Sequence, residues 1–346
     1  MNVIRRAMAV VAALSMTLAA GACGADESSS SDPTTSSTGP LTVVASVSQW
    51  GSLARQIGGD DVTVTSILSS SDVDAHSFEP TTSDVARIRK AGILIVNGAG
   101  YDSWATKNVS SSTTTVSAAE TVGAMDGDNP HLWFSKEARN GMAKEMAETF
   151  SRALPSRKKA FAARLRSWQS KEKTLETTMA TFRSQHDDPV YGATEAVAYY
   201  LMSDLGFTDA TPKGYAEAVA AEDEPSASDL QTFQGLIEKR TIDVLIDNTQ
   251  ETSDSGSLLL GTAGRSDVPV VDVTEQIPSD FQGLVSWISS LVTSISQALD
   301  SSSSTDSTSP SASSSSDASS TTSSSSASGS STSTTPSNEG QTDPGR

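Results

Sequence analysis

Asp74-Ala75-His76-Ser77-Phe78-Glu79-Pro80 and, further along, Asp128-Asn129-Pro130-His131-Leu132-Trp133 are the stretches around which the chain is organised. They hold two of the three histidines among its 346 residues. Acid, amide and proline neighbours favour turns, and each turn stands beside a segment that reads as regular structure, a setting in which a scaffold can aim an imidazole into a cleft. On spacing alone, two ordinary surface or capping histidines are the simpler reading. A metal site assembled from distant loops is the sharper one.

The residues around these turns alternate between two periodicities. Leu41 to Val47 predicts a buried strand, Trp50 to Ile57 a helix closed by Gly58-Gly59, and Asp61 to Leu68 a second strand. After the His76 turn, Thr81 and Asp84 have capping-box spacing for a helix to Ala91, where Gly92 ends it before a strand from Ile93 to Val96. Ser135 to Leu154 is helical in pattern. Ser156 to Gln185 predicts one long helix with Phe161, Leu165, Trp168, Leu175 and Met179 as its apolar stripe. Beyond it come a strand from Pro189 to Gly192, a helix from Glu195 to Leu205, strands at Ile242 to Asp247 and Val268 to Val273, and a last helix from Phe281 to Leu299. Strands alternating with helices imply parallel sheets covered by helices, hence an α/β class.

The two ends differ in kind. Arg5 and Arg6 precede the apolar run Ala7 to Ala20, too short for a confident membrane span and shaped like a signal peptide that ends before Cys23. Small residues before the single cysteine look like a lipidation signal, although Leu18 stands further upstream than usual. One thiol in an exported chain forms no internal disulfide, so a lipidated N-terminus is the simplest role for Cys23. Gly24 to Pro40 and everything after Leu299 are Ser/Thr-rich. Such composition buries too little apolar surface to offset the entropy of ordering, so both segments are expected to be disordered. A formal net charge of -18 argues against nucleic-acid binding and favours attraction for cations without naming one.

From about Leu41 to Leu299 the chain resembles the solute-binding lipoproteins of zinc and manganese ABC importers. The order and spacing of several motifs carry the resemblance. Asp74, His76, Glu79 and Pro80 match a D-P-H-x-x-E-P pattern with Ala75 for the proline; Ile93 to Gly98 match a strand ending in N-G, followed by an aromatic-rich turn with Trp104; Asn129 to Trp133 match D-P-H-x-W with Asn for Asp. Glu195, Tyr200 and Gly206 match a helix head written H/E-x-x-x-x-Y-x-x-x-x-x-G, and Val273-Thr274-Glu275-Gln276-Ile277 resemble a V-x-T-D-x-I-like context, one position shorter and with Glu275 for Asp.

The resemblance implies two lobes, each a parallel sheet covered by helices, joined by one long rigid helix. It also implies four ligands, His76, His131, Glu195 and Glu275, around one divalent ion carried as cargo between the lobes. A one-residue slip would put Thr194 in place of Glu195, and His186 is a rival histidine. Glu224-Pro225-Ser226 and Asp247-Asn248-Thr249-Gln250 are expected to support the site or pack the lobes without ligating. Imidazole favours zinc and carboxylate oxygen favours manganese; the short Ala124 to Asp128 segment lacks the His-rich loop common in zinc-dedicated members. The implied partners are an ABC permease and its ATPase, with the membrane reached through the lipid on Cys23, on the extracytoplasmic face, and a monomeric chain. The expected boundaries are 1–22 for the signal peptide, 23–40 for the lipidated Cys23 and tether, 41–155 for the N-terminal lobe, 156–185 for the linking helix, 186–299 for the C-terminal lobe and 300–346 for the tail. A surface adhesin or, with less support since no HExxH or comparable signature is present, a metallohydrolase are the alternatives.

Overall fold

In the computed structural model, residues 39–70, 73, 75, 77–107 and 109–306 are described. His76, Cys23, the signal segment and the tail beyond Asp306 lie outside them.

The first lobe runs β1 (Leu41–Val47), α1 (Ser48–Gly58), β2 (Val62–Leu68), α2 (Thr82–Lys90), β3 (Ile93–Val96), α3 (Ser103–Thr106), β4 (Thr114–Ser117), α4 (Ala118–Val122) and α5 (Lys136–Ala153). The long helix α6 (Lys158–Gln185) follows. The second lobe contains β5 (Val190–Ala193), α7 (Tyr199–Asp204), β6 (Thr208–Asp209), α8 (Lys213–Ala220), α9 (Ala227–Glu238), β7 (Val244–Asn248), α10 (Asp254–Arg265) and β8 (Val270–Val273), and α11 (Leu284–Asp306) ends the described chain.

Each lobe holds a four-stranded, wholly parallel sheet, in the orders β2-β1-β3-β4 and β6-β5-β7-β8. In both, the order reverses beside the first strand of the lobe. Loops leaving the carboxyl ends of the two central strands diverge at such a point and open a crevice, the usual ligand position of open α/β sheets.

Local chemistry explains the main elements. β3 reads as a continuous apolar run and β1 as one broken by Thr42 and the buried Ser46, because both faces are covered; Val43 to Val47 and Ile93 to Val96 are all buried. Thr81 caps α2 as its spacing predicts: its hydroxyl accepts the Asp84 N–H, and the Asp84 carboxylate accepts the Thr81 N–H at 3.0 Å. Phe161, Trp168, Leu175 and Met179 of α6 are buried, and Phe182 extends the stripe to the second lobe, where its ring stacks on Phe207 at 5.7 Å. The helix is thus packed along its length, so it cannot bend without opening the core. Helix α11 also ties the lobes together: Trp287 lies 5.1 Å from Phe134 of the first lobe. It continues to Asp306, past the predicted end at Leu299.

Two local expectations differ from the structure. Glu195 does not open an α-helix; it sits in extended backbone before a short 3₁₀ turn, Ala196–Ala198, and α7 starts only at Tyr199. The carbonyl of Glu195 accepts the Val197 N–H, which tightens the chain before a regular helix begins. The edge strands β4 and β6, the latter two residues long, have no counterpart in the sequence reading. Their exposed Thr and Asp residues carry little apolar pattern.

Candidate metal centre

Loops leaving the carboxyl ends of β3, β5 and β6 line a cleft of about 600 Å³, whose walls include Tyr101, Trp104, His131 and Glu195. On the first-lobe side, Asn97 ends β3. Its side chain accepts from the Trp50 indole N–H and donates to the Pro130 carbonyl at 2.8 Å, so the residue before His131 is bolted to the sheet. The chain then turns through Gly98, Ala99 and Gly100, all at positive φ. Gly98 is required twice over, since a Cβ there would also lie 2.7 Å from Ala119 Cβ. Asp102 closes the turn by accepting from Ser46 Oγ and from the N–H groups of Asn97 and Gly98. Burial raises its pKa, and those donors pull it partly back.

A buried ion pair fixes the far side of the histidine loop. Arg139 of α5 is fully buried, donates to the carbonyls of Trp133 at 3.2 Å and Phe134 at 2.8 Å, and pairs with Glu172 of α6 at 2.6 Å. The linking helix therefore supports the loop that carries His131.

His131 is 3 % exposed. Its Nδ1 lies 3.0 Å from Asn129 Oδ1, which also accepts the His131 backbone N–H at 2.9 Å. An amide oxygen only accepts, so Nδ1 donates to it and Nε2 is the ring nitrogen turned to the cleft. Nε2 is buried without a hydrogen-bond partner. It faces Glu195 Oε1 at 3.6 Å and Glu275 Oε2 at 3.7 Å. Among the described residues this trio is the set whose ligand atoms, one from each, fall within 4.8 Å of one another. A buried imidazole nitrogen without a hydrogen-bond partner, aimed between two carboxylates, fits a divalent cation.

Asn248, at the end of β7, joins the carboxylates: its Nδ2 lies 2.5 Å from Glu195 Oε2 and 3.4 Å from Glu275 Oε1. Gln250 Oε1 accepts the backbone N–H groups of Glu275 at 2.6 Å and Gln276 at 2.9 Å. From the first lobe, Gln49 Nε2 donates to the Glu275 carbonyl and the Tyr101 hydroxyl to Glu275 Oε2, both at 2.5 Å. Burial, and then the Glu275 charge, hold the Tyr101 pKa well above its ordinary value, so the phenol keeps its proton and acts as a donor. Asn129 reaches the other way, donating to the Ala196 carbonyl at 2.7 Å, while its own carbonyl accepts from Tyr200.

Of the residues singled out in the sequence, His131, Glu195 and Glu275 thus come together. Thr194 points elsewhere, its hydroxyl donating to Asp247 at 2.9 Å. His186 packs on Phe182 at 4.4 Å and faces Ser296. Tyr101 and the Arg139–Glu172 pair were not anticipated. Tyr101 sits in the aromatic turn already noted before Trp104, whereas nothing in the local sequence distinguishes Arg139 from a surface arginine.

A family model described as "Zinc-uptake complex component A periplasmic" matches residues 43–298. The chain belongs to this family. The zinc-binding lipoprotein AdcA of Streptococcus pneumoniae (strain ATCC BAA-255 / R6) is 21% identical over 287 residues, covering 76% of this chain and 56% of AdcA. The manganese ABC transporter substrate-binding lipoprotein scaA of Streptococcus gordonii is 28% identical over 172 residues, covering 45% of this chain and 54% of its own. The chain therefore spans little more than half the length of these relatives. Among solved structures, the laminin-binding protein Lmb of Streptococcus agalactiae superposes with a TM-score of 0.65 at 18% identity, and the periplasmic zinc-binding protein TroA of Treponema pallidum with 0.64 at 18%. Each match covers 75% of this chain and 99% of the other. At that identity the likeness speaks for the fold, which is the two-lobed α/β fold of this zinc-uptake component A member.

Proposed function

We propose that the chain is an extracytoplasmic solute-binding lipoprotein that captures one divalent transition metal, zinc or manganese, between its lobes and delivers it to an ABC permease driven by its ATPase. The observation that carries this reading is the buried Nε2 of His131, without a hydrogen-bond partner and facing Glu195 and Glu275. The proposed ligands are His131, Glu195, Glu275 and His76. Family membership over residues 43–298 supports the carrier role.

The same reading makes the chain a carrier without enzymatic chemistry, monomeric and without affinity for nucleic acid. A metal-bound water needs a carboxylate poised as base; here Glu195 and Glu275 both face the imidazole and share the Asn248 amide. Cys23 is the proposed lipid anchor on the outer face of the cell membrane, behind the signal peptide 1–22 and the tether to residue 40. No helix among the described residues is long and apolar enough to cross a membrane. The two metal-binding lobes are assigned to 41–155 and 186–299, with 156–185 between them and a dispensable tail after 299.

Metal analysis of protein purified without chelator, followed by titration with zinc and with manganese, tests the carrier reading. One equivalent of metal is expected, lost on chelation. A wild-type protein that takes up neither metal refutes it.

A further inference from the structure

We propose that the basic start of α6 is a surface that lies on the anionic headgroups of the membrane and turns the cleft outward. The proposal rests on the lipid anchor assigned above to Cys23 and adds an orientation to it.

Charge is unevenly divided between the lobes. Residues 41–185 carry 17 Lys and Arg against 15 Asp and Glu, whereas residues 186–299 carry 4 against 19. The positive charge gathers where α5 gives way to α6, at Arg152, Arg157, Lys158 and Lys159, all exposed. It continues along the helix. Lys159, Arg166 and Lys173 recur every seven residues and are exposed, while Phe161, Trp168 and Leu175 recur at the same interval and are buried. At 3.6 residues per turn the two rows stand about 160° apart, so the basic row faces away from the core. Arg152 pairs with Glu145 and Lys173 with Glu176, but no carboxylate among the described residues pairs with Lys158, Lys159 or Arg166.

The chain enters the first lobe at this same end. Arg157 and Arg164 both grip Asp61, at 2.7 and 2.9 Å, and Arg164 also donates to the Gly58 carbonyl at 2.7 Å. Asp60, exposed in the same turn, is outnumbered there. Asp61 immediately precedes Val62, which pairs with Leu41 at the start of β1. Residue 40 therefore joins the fold beside the start of α6. The cleft lies at the other end of the sheet, beyond the carboxyl ends of the parallel strands, and the seven residues of β1 span about 20 Å between the two ends. Residues 23–40 reach at most about 60 Å even when fully extended. A lipid on Cys23 thus keeps the basic end near the headgroups, where each Lys or Arg strengthens attraction to an anionic surface about fivefold. The same surface repels the acidic second lobe, so one orientation of the chain is favoured over the rest.

The test uses the chain from Cys23 onward, which keeps every described residue and holds the only thiol in the sequence, coupled through that thiol to a maleimide lipid in vesicles. One set of vesicles is phosphatidylcholine alone, and the other also contains anionic phosphatidylglycerol. Lysines are acetylated with a water-soluble reagent and read by mass spectrometry. Lys158 and Lys159 are expected to react about tenfold more slowly on the anionic vesicles than on the neutral ones, and Lys213 and Lys239 of the second lobe equally on both. Molar salt, which shortens the screening length to about 3 Å, should abolish the protection. Joint replacement Lys158→Gln and Arg166→Gln should release Lys159. Equal rates for Lys158 and Lys159 on the two vesicles overturn the proposal, and so does protection that extends equally to Lys213 and Lys239. Either result leaves the anchor, read separately by fractionating cells that carry Cys23→Ala, and the carrier role, read by metal titration, where they stand.

Discussion

The two lobes share one strand order, yet they bring opposite chemistry to the centre and hold it by different means. The first lobe presents an imidazole, and its neighbours grip the backbone: Asn97 holds the Pro130 carbonyl, and Arg139 those of Trp133 and Phe134. The second lobe presents two carboxylates, and its neighbours grip the side chains through Asn248 and the local backbone through Gln250. The difference follows from the chemistry of the proposed ligands. An imidazole has one nitrogen for the metal and one for its support, so fixing the loop and the proton on Nδ1 suffices. A carboxylate has two equivalent oxygens, so a second donor has to make them different.

The first test of this contrast is the backbone grip. Arg139→Ala is expected to destabilise the protein by about 3–5 kcal/mol in urea unfolding, because it leaves Glu172 buried and unpaired. The double variant Arg139→Met with Glu172→Leu should regain most of that stability while metal affinity stays below wild type, since the Trp133 and Phe134 carbonyls still lack their donor. A single variant that unfolds like the wild type would show that the first lobe does not depend on this pair.

The ligands come next. Replacing His131, Glu195 or Glu275 singly with Ala should lower metal affinity in calorimetric titration by more than about a hundredfold, beyond what partners behind a ligand account for. Thr194→Ala and His186→Ala should stay near wild type. An inert Glu195→Ala would break the assignment of both carboxylates to the second lobe.

Asn129 sharpens the comparison, because it supports the imidazole and also reaches into the second lobe. Asn129→Ala should cost about tenfold to a hundredfold in affinity by releasing Nδ1. Asn129→Asp keeps an acceptor for Nδ1, now a charged one, and loses the bond to Ala196, so its affinity should stay above that of Asn129→Ala. An Asn129→Asp protein as weak as Asn129→Ala would mean that the cross-lobe bond, rather than the imidazole, is what Asn129 contributes.

The smallest effect lies away from the centre. Thr81→Ala removes the cap of α2 and should cost about 1 kcal/mol in stability with metal affinity unchanged. A loss of affinity there would tie α2 to the centre.

Much of the fold is legible in the sequence because it is local. The apolar run of β3, the Thr81–Asp84 box and the α6 stripe each result from side chains a few residues apart, and their periods are visible without knowledge of the rest of the chain. The motifs around His131, Glu195 and Glu275 likewise mark turns at element ends, where backbone direction is set by proline, asparagine and glycine. What lay beyond reach is everything that depends on partners distant in the chain. Arg139 is buried against Glu172, 33 positions on, which pairs with it. Tyr101 becomes a donor to Glu275 across 174 positions. Asn248 separates the oxygens of two acids that the sequence keeps 53 and 27 positions away. By itself the sequence determined the central strands and the long helices, their parallel alternation and the residue types able to hold a cation, but not the edge strands β4 and β6. Tertiary structure alone decided which oxygen of each carboxylate faces the imidazole, because a hydrogen bond needs its donor within about 3 Å and at the right angle, and only the folded chain brings these groups that close.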